Sequence, residues 1–309
     1  MDIVSVINYK GGVGKTTTTS NLGAELAWRG YSVLMLDLDP QASLTFSFIS
    51  PEEWSKSFAD SSTIKQWFDT FEFSHSISIS SLIHAPKRVN DHLNGRGRVD
   101  LICSHLGLIN VDLELATHLG GSTLRQAKQK FIRVHRALAD GLAEIDQSQY
   151  DIILVDCPPN FNIVTKTAIV ASTSILIPAW PDYLSTLGID YLVRNVNQLV
   201  KEYNEYADLD TGDPVSQISP KVLGVLFTMI REYAEEPIAT QRQFIGQIEA
   251  HPRIPVFESY IKHNSKLFGD SPQYGVPVVL HGYSNPTHDR VVGGIEEAAT
   301  EFEQSLGWK

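Results

Sequence analysis

The ten residues from Asn8 to Thr17, NYKGGVGKTT, gather three glycines, two lysines and two threonines in one run. Gly11, Gly12 and Gly14, with Val13 between them, let the backbone turn so that successive N–H groups aim at one point. A helix starting directly behind adds the positive end of its dipole, and the result is a cradle for a polyphosphate. Lys15 then reaches the terminal phosphates. The Thr16 hydroxyl, beside Thr17, suits one position in the octahedral shell of Mg2+, with phosphate oxygens and water completing it. Measured against the pattern GxxxxGK[ST], the first glycine position holds Tyr9, so this is a deviant form of the loop. An ordinary loop of this kind uses one lysine near its end. Lys10, at the front, needs a separate role.

Carboxylates at other strand ends sharpen the chemistry. Val33 to Leu36 is an apolar run that ends in Asp37-Leu38-Asp39-Pro40, and Ile152 to Val155 is another that ends in Asp156-Cys157-Pro158-Pro159. A lone strand-end aspartate reads equally well as a helix cap. Three of them beside a glycine loop suit a magnesium-nucleotide site, with one or two holding metal-bound waters and one orienting an attacking water.

These residues need elements to position them. Ile3 to Ile7 reads as a buried strand and Gly14 to Trp28 as the helix behind the loop, ending at Arg29-Gly30. Further apolar runs at 174–178 and 222–227 alternate with helical patterns. Short apolar strands alternating with helices predict a doubly wound α/β fold, a mostly parallel sheet with helices on both faces and ligands at the carboxyl edge. The 309 residues read as one domain, because no Pro/Gly/Ser linker divides them. Between 46 and 98 the pattern weakens into a serine-rich stretch containing Trp54, Phe58, Trp67, Phe68, Phe71 and Phe73. It reads as a locally helical insertion packed on the main body, with a partner surface as the alternative. A helix over Leu124–Leu142 is expected to place Leu124, Ala127, Phe131 and Leu138 on one face and Arg125, Lys128, Arg133 and Arg136 mostly opposite.

Composition bounds the partners. A net charge of -11 and a pI near 5.3 speak against a broadly basic nucleic-acid surface, although a local patch remains open. The segment Glu202–Asp213 holds no lysine or arginine and is not expected to touch DNA. Cys103 and Cys157 are the two cysteines, far apart, which suggests neither a disulfide framework nor a CxxC site and fits a reducing cytoplasm. The ten histidines lack metal-site spacing. No leader and no membrane span are expected, and the last helical stretch, acidic at Glu296, Glu297, Glu301 and Glu303, is unsuited to anionic lipid.

KGGVGKTT at Lys10–Thr17, DLDPQAS at Asp37–Ser43 and DCPP at Asp156–Pro159 together resemble the deviant Walker A, switch I and switch II segments of the ParA/MinD family of ATPases. Weaker similarity runs through LIPAWPDYLSTLGI, LGVLFTM and VFESYIKHNSKLFGDSPQYGVPV. The resemblance implies a P-loop ATPase with ATP and Mg2+ as ligands, forming an ATP-dependent homodimer that sandwiches two nucleotides. It offers Lys10 a role across the interface on the partner's phosphates, and it implies that Asp39 orients the attacking water. Thr16 would bind Mg2+, with Asp156, and Asp39 where needed, supporting its outer shell. Met229 and Pro272 fall where relatives contact adenine.

Within the family, an iron–sulfur carrier would need paired cysteines. A membrane-positioning ATPase would need a basic amphipathic helix. Both are lacking, so the chain looks most like a ParA-type partition ATPase: ATP-dependent binding to nonspecific DNA, stimulation by a ParB-like partner, and a cytoplasmic, nucleoid-associated setting. Lys221, Lys262, His263, Lys266 and the 125–136 helix face are the candidate cations. The alternative is an ATP switch that positions or assembles a protein complex with little DNA role, using the 46–73 aromatics as its partner surface.

Overall fold

The structure, a computed structural model, describes residues 1–73, 76–208, 215–282 and 285–308. Seven strands among them form one sheet: β1 (Asp2–Val6), β2 (Ser32–Asp37), β3 (Arg98–Ile102), β4 (Ile152–Asp156), β5 (Ser174–Ala179), β6 (Lys221–Ile230) and, after a hairpin of β7 (Glu232–Tyr233) and β8 (Glu236–Pro237), β9 (Val256–Lys262). The order is β3-β2-β4-β1-β5-β6-β9 and every pairing in it is parallel. The chain passes to one side of β1 through β2, β3 and β4 and crosses to the other side at β5. That places a topological switch point, the usual ligand crevice of such a sheet, at the carboxyl end of β1.

Helices cover both faces, as the nearly continuous apolar strands demand. The chain-order set is α1 (Lys15–Trp28), α2 (Ser43–Phe48), α3 (Pro51–Ser57), α4 (Ile64–Asp69), α5 (Lys87–Leu93), α6 (Leu108–Thr117) and α7 (Leu124–Ala143). It continues with α8 (Ile163–Ala171), α9 (Tyr183–Ala207), α10 (Ala239–Glu249), α11 (Ser265–Tyr274) and α12 (Pro286–Leu306). Strand alternation divides the core in two. Leu34, Leu36, Ile153 and Val155 pack with Leu138, Ala168 and Ile189 from α7, α8 and α9, whereas Val33, Met35 and Leu154 pack with Leu22, Leu26 and Phe302 from α1 and α12.

The 46–98 stretch holds the second half of α2 and all of α3, α4 and α5, and its aromatic residues serve packing. Trp67, Phe68 and Phe71 are buried in the larger core, and Trp54 and Phe58 pack against the smaller one. The side chain of Phe73 lies outside the described residues. Trp67 lies so close to α7 that a Cβ at Gly141 would sit 2.5 Å from its ring. Helix α7 starts where expected and turns the expected stripe inward from Phe131 to Leu138, but not at its N-terminal end. Leu124 is exposed, and Ile132, His135, Leu138 and Leu142 are buried, because the C-terminal half of the helix is the part packed into the core against α8 and α9. The acidic stretch 202–213 completes α9 as far as Ala207, and its residues 209–213 lie outside the described residues.

Trp67→Ala removes a fully buried indole from this junction, and a loss of about 3–5 kcal/mol in urea-monitored stability is expected. A loss below about 1 kcal/mol would show that the stretch rests on the core without contributing to it.

Candidate functional site

The phosphate loop owes its shape to two glycines and one threonine. Gly12 and Gly14 have φ of 72° and 81°, the left-handed region that costs other residues energy. A Cβ at Gly14 would also meet Thr228 Oγ1 at 3.3 Å. That hydroxyl donates to Val13 O at 2.8 Å, so the end of β6 clasps the back of the loop. Helix α1 begins at Lys15 with no side-chain cap and no acidic residue in its first turn. Its first N–H groups are therefore presented to whatever anion enters the loop.

Lys15 and Thr16 stand at the entrance of α1. Lys15 is buried and its Nζ donates to Lys10 O at 3.2 Å. Burial pulls its pKa down, opposed by the nearby Asp156 and Asp39 carboxylates. Thr16 Oγ1 donates to Asp156 Oδ2 at 2.7 Å. Asp156 is fully buried, and its Oδ1 has no hydrogen-bond partner. Burial, followed by repulsion from Asp37, holds its carboxyl well above the usual range. An orphaned buried oxygen beside a threonine hydroxyl at the loop is the donor set that a hydrated Mg2+ would satisfy.

The three strand-end aspartates divide their work. Asp37 pairs in register with Asp156 but is spent on the fold: Oδ1 accepts from Asp39 N at 3.1 Å, and Oδ2 accepts from Thr45 N and Thr45 Oγ1, both at 2.8 Å. Burial raises its pKa to about 7. Asp39 is half-buried at the rim, with Oδ1 accepting from Gln41 N at 2.9 Å and its carbonyl accepting from Ser104 Oγ at 2.6 Å. Asp39 and Asp156 are thus brought to the loop, and Asp37 shapes the segment between them.

Lys10 is engaged within its own chain. Its ammonium pairs with Asp182, at the start of α9, and lies 5.3 Å from the centre of the Trp180 ring. Burial pushes the Asp182 carboxyl up, but the hydrogen bonds from Lys10 and from Ser185 N outweigh it and hold the group below the usual carboxylate range. Sequence reasoning missed Asp182. The signal was available in Asp182-Tyr183-Leu184-Ser185, an N-cap spacing directly after a strand, and the side chain does cap α9 at Ser185 N.

A cleft of about 200 Å3 opens beside the loop, between Gly14 and Thr17 on one wall, Met229 on the second, and Ile261, Ser265 and Phe268 on the third. Met229 therefore lies beside the loop. Pro272 is not among the lining residues. It sits exposed inside α11, which turns its first residues, Ser265 and Phe268, toward the cleft.

Several candidate cations are already occupied. Lys262 pairs with Glu232 at 2.9 Å, Lys221 donates to Ser305 O at 2.9 Å, and Arg136 pairs with Asp140 at 2.8 Å. Lys128 lies over Tyr206 and Arg133 over Phe71. His263 is exposed at the rim of the cleft, and Lys266 is exposed in the first turn of α11. Among the described residues no helix is long and apolar enough to cross a membrane, and α12 is packed on β9 and α1.

A family profile described as an AAA domain matches residues 1–209. The chain is 28% identical over 279 residues to the sporulation initiation inhibitor protein Soj of Bacillus subtilis (strain 168), a match that covers 90% of each. It is 26% identical over 281 residues to the chromosome partitioning protein ParA of Caulobacter vibrioides (strain NA1000 / CB15N), covering 90% of this chain and 86% of that one. A Cyanothece McdA–ATP complex shares the fold with a TM-score of 0.70 at 19% identity, over 100% of this chain and 97% of the other. Joined to the deviant loop, its strand-end aspartates and the all-parallel sheet, these matches mean that the chain belongs to the ParA/MinD family of P-loop ATPases.

Proposed function

We propose that the chain is a ParA-type switch ATPase, a single P-loop unit over residues 1–309 that dimerises on ATP and binds nonspecific DNA in that state. A ParB-like partner would stimulate its hydrolysis, and cargo would be partitioned or positioned in the cytoplasm, over the nucleoid. The observation that carries the reading is the pairing of Lys10 with Asp182 on a face that also exposes Trp180, Tyr183, Leu184 and Leu187. A cation held at the edge of a phosphate loop, ringed by exposed apolar side chains, suits a group that changes partner when a second copy covers that face. Neutralising the neighbour's phosphates only on assembly would couple nucleotide state to dimer state, as an arginine finger does.

Within each subunit the loop N–H groups, Lys15 and Thr17 would hold the phosphates of ATP, and Met229 would face the base. Thr16 would ligate Mg2+ and Asp156 would bind a water of its shell, the ion supplying charge neutralisation on the phosphates. Asp39, at the rim, would orient the attacking water. A second reading, an ATP switch on a protein complex with little DNA role, is favoured by the ion pairs that occupy Lys262 and Arg136.

Lys10→Ala should abolish ATP-dependent dimers in light scattering and lower turnover by about 100-fold or more, whereas Asp182→Ala should leave the dimer intact. Wild-type turnover in the Lys10 variant would remove the proposed role across the interface. Asp39→Ala should accumulate an ATP-bound dimer with hydrolysis lowered by about 100-fold, and unchanged turnover would reassign the water to another group. Duplex DNA binding should require ATP and weaken by about tenfold or more between 50 and 200 mM salt. Absence of binding at low salt with ATP would select the second reading.

A further inference from the structure

The wall of the cleft formed by Met229 has an unusual backbone. Met229 has a φ of 55°, left-handed for a residue with a long side chain and no local hydrogen-bonding group to compensate. The β6–β9 register slips there, since Phe227 faces Tyr260 and Ile230 faces Lys262, three residues on one strand against two on the other. The extra residue is a bulge at the ligand edge, of the kind that re-aims a side chain. Two backbone groups beside it are satisfied by one side chain. Gln241, in the first turn of α10, accepts from Arg231 N at 2.8 Å and donates to Met229 O at 3.1 Å. It is 5% exposed, so water does not replace it readily.

The pairing needs a donor and an acceptor on one planar group, which an amide has and a carboxylate or an alkyl chain lacks. Gln241 itself does not line the cleft. Its action on a ligand must pass through the Met229 turn.

We propose that Gln241 is a positioning residue for nucleotide selection, holding the left-handed turn at Met229 in the shape that admits the nucleobase while leaving the phosphate loop untouched. This rests on the reading that the cleft takes the base of the bound nucleotide. The loop is fastened separately, through Thr228 Oγ1 to Val13 O. Loss of the Gln241 clamp is therefore felt by the base and not by the phosphates.

The test compares ATP with tripolyphosphate, which has the phosphates and no base, in equilibrium binding to the full chain with Mg2+. Gln241→Ala should weaken ATP by about tenfold and change tripolyphosphate by less than about twofold. Gln241→Glu, the same size but without the donor when ionised, should weaken ATP in the same direction and serves if the alanine variant fails to fold. Adding Met229→Asn to Gln241→Ala should restore ATP affinity to within about threefold, because asparagine tolerates the left-handed region. Parallel weakening of both ligands, or no weakening of either, overturns the proposal. Ser265→Trp, which fills the cleft, separates the underlying reading. ATP binding unaffected by that variant places the base elsewhere and overturns both, whereas a blocked cleft with an indifferent Gln241→Ala overturns the clamp alone.

Discussion

Two carboxylates, Asp37 and Asp156, lie side by side in register at the ends of β2 and β4 with no exposure to water. Like charges so placed cost several kcal/mol unless each is neutralised or hydrogen-bonded. The surrounding structure answers them unequally. Asp37 receives three hydrogen bonds, two of them from Thr45, and these pull the switch segment after β2 back across the sheet edge. Asp156 receives one, from Thr16, and keeps a buried oxygen without a partner. The neighbouring Lys15 is itself buried, so the two charges oppose one another's shifts. A hydrated cation with its phosphates is the simplest partner for the Asp156 oxygen that the protein leaves without one.

The front of the loop is fastened by a different kind of contact. Tyr9 stands where a standard loop has its first glycine, and its bulk is used. The ring packs on Phe161 and Tyr191, with centroids 5.7 Å away in each case, and Asn195 donates to its hydroxyl at 2.5 Å. These partners come from α9 and from the segment between β4 and α8. The residue immediately before Lys10 is thereby tied to both elements that flank the exposed apolar face. Displacing either element must strain the backbone that carries Lys10.

Much of this was legible in the sequence, for a physical reason. A phosphate loop is a local object: its glycines, lysine and threonine are consecutive, and the strand before it and the helix behind it are written in the apolar pattern around them. Asp39 and Asp156 were legible because both follow short apolar runs. What escaped depends on pairings made across the sheet. The Lys10–Asp182 pair joins residues 172 positions apart, and the clasp of Thr228 on Val13 joins residues 215 apart. Gln241 escaped because a buried amide in the first turn of a helix has no pattern; only the bulge at Met229 gives it work. Pro272 lies away from the cleft because helix orientation decides which turn of α11 faces it. Leu124 is exposed because an apolar stripe does not say how much of a helix its neighbours will cover.

Strand order turns these scattered residues into a line. Along the carboxyl edge, β2 and β4 carry the aspartates, β1 the phosphate loop, β5 the Asp182 that holds Lys10, and β6 and β9 the cleft. On the proposed reading, a nucleotide laid along that edge would run from base at β6 to metal near β4, with its phosphates over β1. Lys10 and Asp182 lie at the β1 and β5 positions, inside the line and not beyond its end. Occupancy of the loop and the proposed release of Lys10 would therefore act on adjacent backbone. A fold with β5 on the far side of β4 would keep every motif and lose that adjacency.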